Sequence, residues 1–226
     1  MLLELATFKA ESVLIAERIG VGRLELCEDY SCGGLTPSMD YFKYARENFS
    51  RDIFVMIRPR TGGYVFTDAE FEGMLEDVSR FRDAGANGFV CGFFRNDQEI
   101  HRQQLVKFVV ACQNLPVTFH RSFDDLSDWK NGLELLIDSG CKRLLTSGDG
   151  ANAFEGRKRL REMVDYAHGR LIILPGGGIR STNIKEIISE VGPVEVHTAA
   201  LSPGISEVAD ELELSKLLQL LNKSSE

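Results

Sequence analysis

The sequence predicts an α/β fold, a single (β/α)8 TIM barrel, on three observations. Short β-rich runs alternate with longer stretches of helical apolar period from end to end. The repeat averages ~28 residues, near that of a barrel of about 250 residues. No Pro/Ser-rich linker, charge block or low-complexity tract interrupts it, so residues 1–226 read as one domain.

The elements follow in order. Leu2 to Thr7 is a first strand, and Ser12 to Ile19 a short helix with Val13, Ala16 and Ile19 on its apolar face. Arg23 to Cys27 is the second strand. Its helix spans Pro37 to Asn48, with proline at the first turn, where its missing N–H does no harm. Ile53 to Ile57 is a buried strand. Thr67 opens a long helix with Glu70 at capping-box spacing, and Phe71, Met74, Leu75, Val78 and Phe81 repeat with a 3.6 period. Strand four is Gly88 to Gly92 with a helix at Gln103 to Cys112, and strand five is Pro116 to His120 with a helix at Trp129 to Ser139. Arg143 to Thr146, Leu171 to Pro175 and Val194 to Thr198 complete the strands. Gly156 to Ala167, Asn183 to Val191 and Asp210 to Leu221 are their helices. Gly20, Gly85, Gly140 and Gly192 stand where helices stop, the position that favours a left-handed residue. The rival, a doubly wound sheet, lacks its glycine fingerprint, because Thr7-Phe8-Lys9 follows the first strand.

Lys and Arg number 26 against 34 Asp and Glu, a net charge of −8. That balance argues against nucleic-acid and membrane-surface partners, which are polyanionic. No run approaches the ~20 apolar residues of a membrane span. Met1-Leu2-Leu3-Glu4 lacks the basic start of a secretory leader. The five cysteines, odd in number and without a CxxC pair, predict reduced thiols in a cytoplasmic protein.

Function in such a barrel gathers at the C-terminal strand ends. Strand two ends Glu25-Leu26-Cys27, strand three Arg58-Pro59-Arg60, strand five His120-Arg121-Ser122, strand six Thr146-Ser147-Gly148, and strand eight carries Glu195-Val196-His197. Internal salt bridges explain any one of these charges. Two histidines, several carboxylates and three arginines at one mouth point instead to a pocket, because unpaired buried charge is costly. Glu25, His120, Glu195 and His197 are the acid/base candidates. Arg58, Arg60, Arg121 and Ser147, with the Gly176-Gly177-Gly178 loop, are the candidates for holding an anion. No lysine ends strands two to eight, which argues against Schiff-base chemistry. Zinc spacings are missing as well. Cys27 and Cys32 flank a turn and are either soft ligands suited to Cu(I) or small buried hydrophobes.

Glu25-Leu26-Cys27, Gly33-Gly34-Leu35-Thr36-Pro37-Ser38, Ile57-Arg58-Pro59-Arg60, Thr118-Phe119-His120-Arg121, Phe123-Asp124, Leu145-Thr146-Ser147-Gly148, Pro175-Gly176-Gly177-Gly178-Ile179 and Glu195-Val196-His197 together resemble, in order, the motifs of the copper homeostasis protein CutC family. The resemblance implies a cytoplasmic TIM barrel, usually a homo-oligomer (here a dimer or tetramer), linked to copper handling. Members often carry a cysteine two positions after the strand-one glutamate, beside the strand-two cysteine. Here that position is Ala6, and only Cys27 is kept. The loop after Arg60 also differs, reading Thr61-Gly62-Gly63-Tyr64 with Phe66 in place of a tyrosine, and the segment from Ala199 to Ala209 is shorter than usual. The expectation is a CutC-like protein associated with copper homeostasis whose Glu/His/Arg mouth suits a small anionic molecule, phosphorylated ones among them. The alternative is a non-catalytic Cu(I) binder using Cys27 with Cys32 or nearby histidines.

Overall fold

Eight parallel strands form the wall of a barrel in the computed structural model, which describes residues 1–96, 99–202 and 207–223. They are β1 (Leu2–Thr7), β2 (Arg23–Leu26), β3 (Asp52–Met56), β4 (Gly88–Cys91), β7 (Val117–Phe119), β8 (Arg143–Thr146), β9 (Ile172–Pro175) and β10 (Glu195–Thr198). A small antiparallel hairpin, β5 (Phe94–Asn96) with β6 (Glu99–Ile100), stands after β4. Parallel ladders join the wall in the order β10-β1-β2-β3-β4-β7-β8-β9, and β9 lies against β10 to complete the ring. The outer helices are α1 (Ala10–Ile19), α2 (Met39–Asn48), α3 (Asp68–Asp83), α4 (Arg102–Ala111), α5 (Trp129–Asp138), α6 (Arg157–Ala167), α7 (Ile184–Val191) and α8 (Glu211–Lys223).

Side-chain caps set several of the helix starts. α2 starts at Met39 rather than Pro37, because the Ser38 hydroxyl accepts the Tyr41 N–H at 3.3 Å and makes Ser38 the cap. The capping box of α3 forms as its spacing predicts, with the Glu70 carboxylate accepting the Thr67 N–H at 2.7 Å. Thr67→Ala is therefore expected to lower stability by about 1 kcal/mol, read as a lower urea midpoint at unchanged slope. Gly20, Gly85, Gly140 and Gly192 all take positive φ, between +66° and +100°. The 3-10 turns at Tyr30–Cys32 and Arg121–Asp125, and the hairpin, have no periodic signature and are absent from the sequence reading.

Alternation along the strands makes two cores. Outward residues such as Leu3, Leu5, Ile53, Val55, Phe89 and Val117 are fully buried against the helices. The inward set mixes charged side chains with apolar ones such as Phe54 and Val90. Register and alternation place Arg23, Gly88, Arg143 and Glu195 in the lowest layer, then Glu4, Phe54, Thr118 and Leu174, then Glu25, Val90, Leu145 and His197. Gly88 fits because a Cβ there would lie 2.6 Å from the Phe54 ring, which fills its space. That ring in turn carries the Arg23 and Arg143 guanidiniums at 4.7 and 5.2 Å.

Candidate functional site at the barrel mouth

A chain of alternating charges climbs the barrel interior. Arg143 binds Glu195 through Nε and Nη2 at 2.7 and 3.1 Å, and Arg23 bridges Glu195 and Glu4. The Glu4 Oε1 lies 2.8 Å from His197 Nδ1, and His197 Nε2 lies 3.6 Å from a Glu25 oxygen. Burial disfavours the charged form of Glu4, but Arg23 and His197 outweigh it and hold the carboxyl at about 2. Burial likewise opposes the His197 imidazolium. The Glu4 hydrogen bond and the neighbouring carboxylates overcome it, and its pKa rises. Glu25 has no such strong partner. Burial lifts it to about 7, with the Glu4 charge adding to the rise and His197 opposing it.

Above this chain opens a cavity of about 320 Å³, lined among others by Glu25, Arg58, Tyr64, His120, Arg121, Gly177, Gly178, Arg180 and His197. Arg58 is buried. Its Nη1 donates to the Cys32 and Gly34 carbonyls at 2.8 and 3.2 Å, and its Nη2 to the Gly62 carbonyl at 2.8 Å. The Tyr64 ring lies 4.8 Å from both the Arg58 guanidinium carbon and the His120 ring. His120 Nδ1 accepts the Ser122 N–H at 3.3 Å. Burial, with the Arg58 charge beside it, pushes His120 down to about 3, so the ring is neutral at pH 7. Gly92 is what admits this ring, since a Cβ there would collide with His120 Cε1.

Opposite these groups, Arg180 donates to Thr198 Oγ1 at 3.2 Å and to the Leu201 carbonyl at 2.9 Å. Neither Arg58 nor Arg180 pairs with a carboxylate among the described residues. Gly177 and Gly178 follow one another at φ +92° and +72°, and their N–H groups donate to nothing among the described residues. Two successive free amides beside an uncompensated guanidinium make a concavity suited to an anion.

The structure thus brings Glu25, His120, His197, Arg58, Arg121, Gly177 and Gly178 around one cavity, and leaves other candidates outside its lining. Glu195 does not reach the mouth: it starts β10 at the opposite end and serves Arg23 and Arg143. Arg60 turns away to Glu70 at the head of α3. Ser147 is buried and satisfied, donating to Asp124 at 2.8 Å and accepting from Arg121 at 3.1 Å. Gly176 leaves room for Leu145 and His197 behind the cavity. Cys27 is fully buried next to Ala6 and Met56, and burial pushes its thiol well up, so the thiolate is disfavoured. Cys32 donates its thiol to the Asp29 carbonyl at 3.3 Å. Among the described residues no three His, Cys, Asp or Glu side chains gather as a metal-binding group. The sequence reading missed Glu4, Tyr64 and Arg180 as site residues. Arg180 had a signal, standing two residues after the glycine run, whereas Tyr64 is recruited only by the fold.

A parallel eight-stranded barrel with an arginine- and glycine-lined cavity at its C-terminal mouth is the architecture of a TIM-barrel protein, the fold in which functional residues gather at that end. The model of the CutC family matches residues 1–202, and the chain belongs to that family. It is 39% identical over 201 residues to the mouse copper homeostasis protein cutC homolog, covering 89% of this chain and 74% of that one. The human homolog is 38% identical over the same shares. The crystal structure of a copper homeostasis protein CutC from Streptococcus agalactiae superposes with a TM-score of 0.83 at 30% identity, covering 88% of this chain and 98% of that one.

Proposed function

We propose that this CutC-family protein serves copper homeostasis through a mouth cavity that binds a small anionic, phosphorylated molecule, not through a thiolate copper centre. The observation that carries the reading is that the Gly177 and Gly178 amides are free beside Arg180, a guanidinium that no carboxylate neutralises among the described residues. Loops after the seventh and eighth barrel strands are where TIM barrels commonly hold phosphate, and here they are the loops after β9 and β10. Glu25, with its raised pKa, and His197 stand beside this cavity as acid/base groups. The reduced cysteines fit a cytoplasmic protein, and no described helix is long and apolar enough to cross a membrane. The Cu(I) alternative has less support, because Ala6 gives Cys27 a methyl group for a neighbour and Cys32 is engaged with backbone.

The test is thermal unfolding with inorganic phosphate as probe. Phosphate is expected to raise the melting temperature by linkage, while sodium chloride at equal ionic strength does not. Arg180→Ala is expected to weaken phosphate binding about 10-fold, the worth of one charge-assisted hydrogen bond. No phosphate shift in the unaltered protein would overturn the reading. A shift with Cu(I) alone, lost in Cys27→Ser, would favour the copper-binding alternative.

A further inference from the structure

Buried polar atoms without partners are costly, and of the nine such side-chain atoms among the described residues four belong to residues of one cavity. Glu25 Oε1, Arg58 Nε, His120 Nε2 and Ser122 Oγ are all buried and unpartnered, and all four residues line the mouth cavity. Such a cluster marks groups kept for something that arrives. Their chemistry is complementary. Glu25 offers a carboxylate oxygen from β2. His120 offers a donor from the end of β7, three strands further round the ring. Its tautomer follows from its contacts: Nδ1 accepts a backbone N–H, so the ring proton sits on Nε2. Arg58 Nε–H is a second donor, and the remaining guanidinium bonds to three carbonyls hold it still.

We propose that the cavity is an isomerase-type site that abstracts a proton next to a carbonyl, and that its substrate class is the small α-hydroxycarbonyl phosphate. This rests on the phosphate reading above. With the phosphate at Gly177, Gly178 and Arg180, Glu25 takes the proton from the carbon beside the carbonyl. The C–H pair becomes the new C=C bond, and the carbonyl pair moves onto oxygen. There it meets the His120 Nε2–H and the Arg58 Nε–H. A neutral imidazole is the better donor here, since it exchanges a proton with the enediol oxygens without first losing a charge. Glu25 then returns its proton to the adjacent carbon while a hydroxyl proton moves between the two oxygens through His120. The result is the isomeric hydroxycarbonyl, with no oxidant or reductant consumed. Burial holds Glu25 near 7, a suitable basicity at neutral pH. His197, fixed by Glu4, lies 3.6 Å from the other side of the Glu25 carboxylate.

The test compares two probes by titration calorimetry: phosphoglycolohydroxamate, which mimics the enediolate, and glycerol 3-phosphate, which has the phosphate but no carbonyl. The hydroxamate is expected to bind at least about 10-fold more tightly, since such a site complements the transition state. His120→Gln is expected to abolish that preference and keep glycerol 3-phosphate binding, and Glu25→Gln is expected to do the same should the first variant fold poorly. Equal affinity for the two probes, or a preference that survives both substitutions, would overturn the isomerase proposal and leave phosphate binding intact. Failure of either probe and of inorganic phosphate to bind would overturn the phosphate reading, and this proposal with it.

Discussion

Arg23→Ala is expected to destabilise the protein by about 3–5 kcal/mol, the usual result of removing one member of a buried ion network. Both Arg23 and Glu4 are 1% exposed. Removing the guanidinium leaves Glu4 with only His197 and leaves Glu195 with only Arg143, at the centre of a barrel that water does not reach. The loss also strips one of two cations from the Phe54 face. The effect arises from the carboxylates left behind and not from any net gain of the intact pair over an apolar core. Arg23→Met combined with Glu4→Gln, which keeps Glu195 paired with Arg143, is accordingly expected to recover most of the loss. Urea unfolding at pH 7 measures both. A loss below about 1 kcal/mol, the range of exposed ion pairs, would show that Arg23 is solvated.

The second large effect is a dependence of stability on pH set by the same column of charges. Glu25 has a folded pKa of about 7 against an ordinary 4.5. Between those values the folded protein holds a proton that the unfolded chain has released, so stability falls as pH rises, by about 3 kcal/mol across the window. His197 acts in the same direction. Its raised pKa contributes stability that is complete below 6.5 and is lost as pH climbs through the folded value. Glu4 works on the acid side: its contribution is complete above 4.5 and lost as pH falls toward 2. The three together favour the region just above pH 4.5, an unusually acid optimum for an interior cluster. Glu25→Gln removes the largest alkaline loss. Its stability relative to the unaltered protein is expected to rise by about 2–3 kcal/mol between pH 5 and pH 8. Parallel stability curves for the two proteins over that range would contradict the assignment.

These two effects arise from residues whose burial the sequence did not announce. Glu4 reads as one charged residue in a short strand, and Glu195 reads as a mouth residue because it shares a face with His197. Parallel strands of three to six residues run between the two ends of the barrel. A shared face therefore says that two side chains point inward, not which end they reach. Register decides that: Glu195 pairs with Leu2 at the start of β1, two residues below the level where His197 meets Glu4. Arg60 was misleading for a similar reason. It is two residues beyond Arg58, but the chain has already turned toward α3, where the capping Glu70 claims it.

What the sequence determined by itself was the barrel, the eight strand-helix pairs, the glycine stops and the family. Each depends on local periodicity or on the order of short motifs, which survive without knowledge of contacts. Tertiary structure alone decided which polar residues are partners and which are left waiting. Glu25 and His120 come from positions 95 residues apart in the chain, and the free donors of Arg58 and the glycine amides become visible only after every other bond is counted. Hydrogen-bond satisfaction is a property of the closed barrel: it depends on distances of a few ångströms between strands that no pattern along one strand encodes.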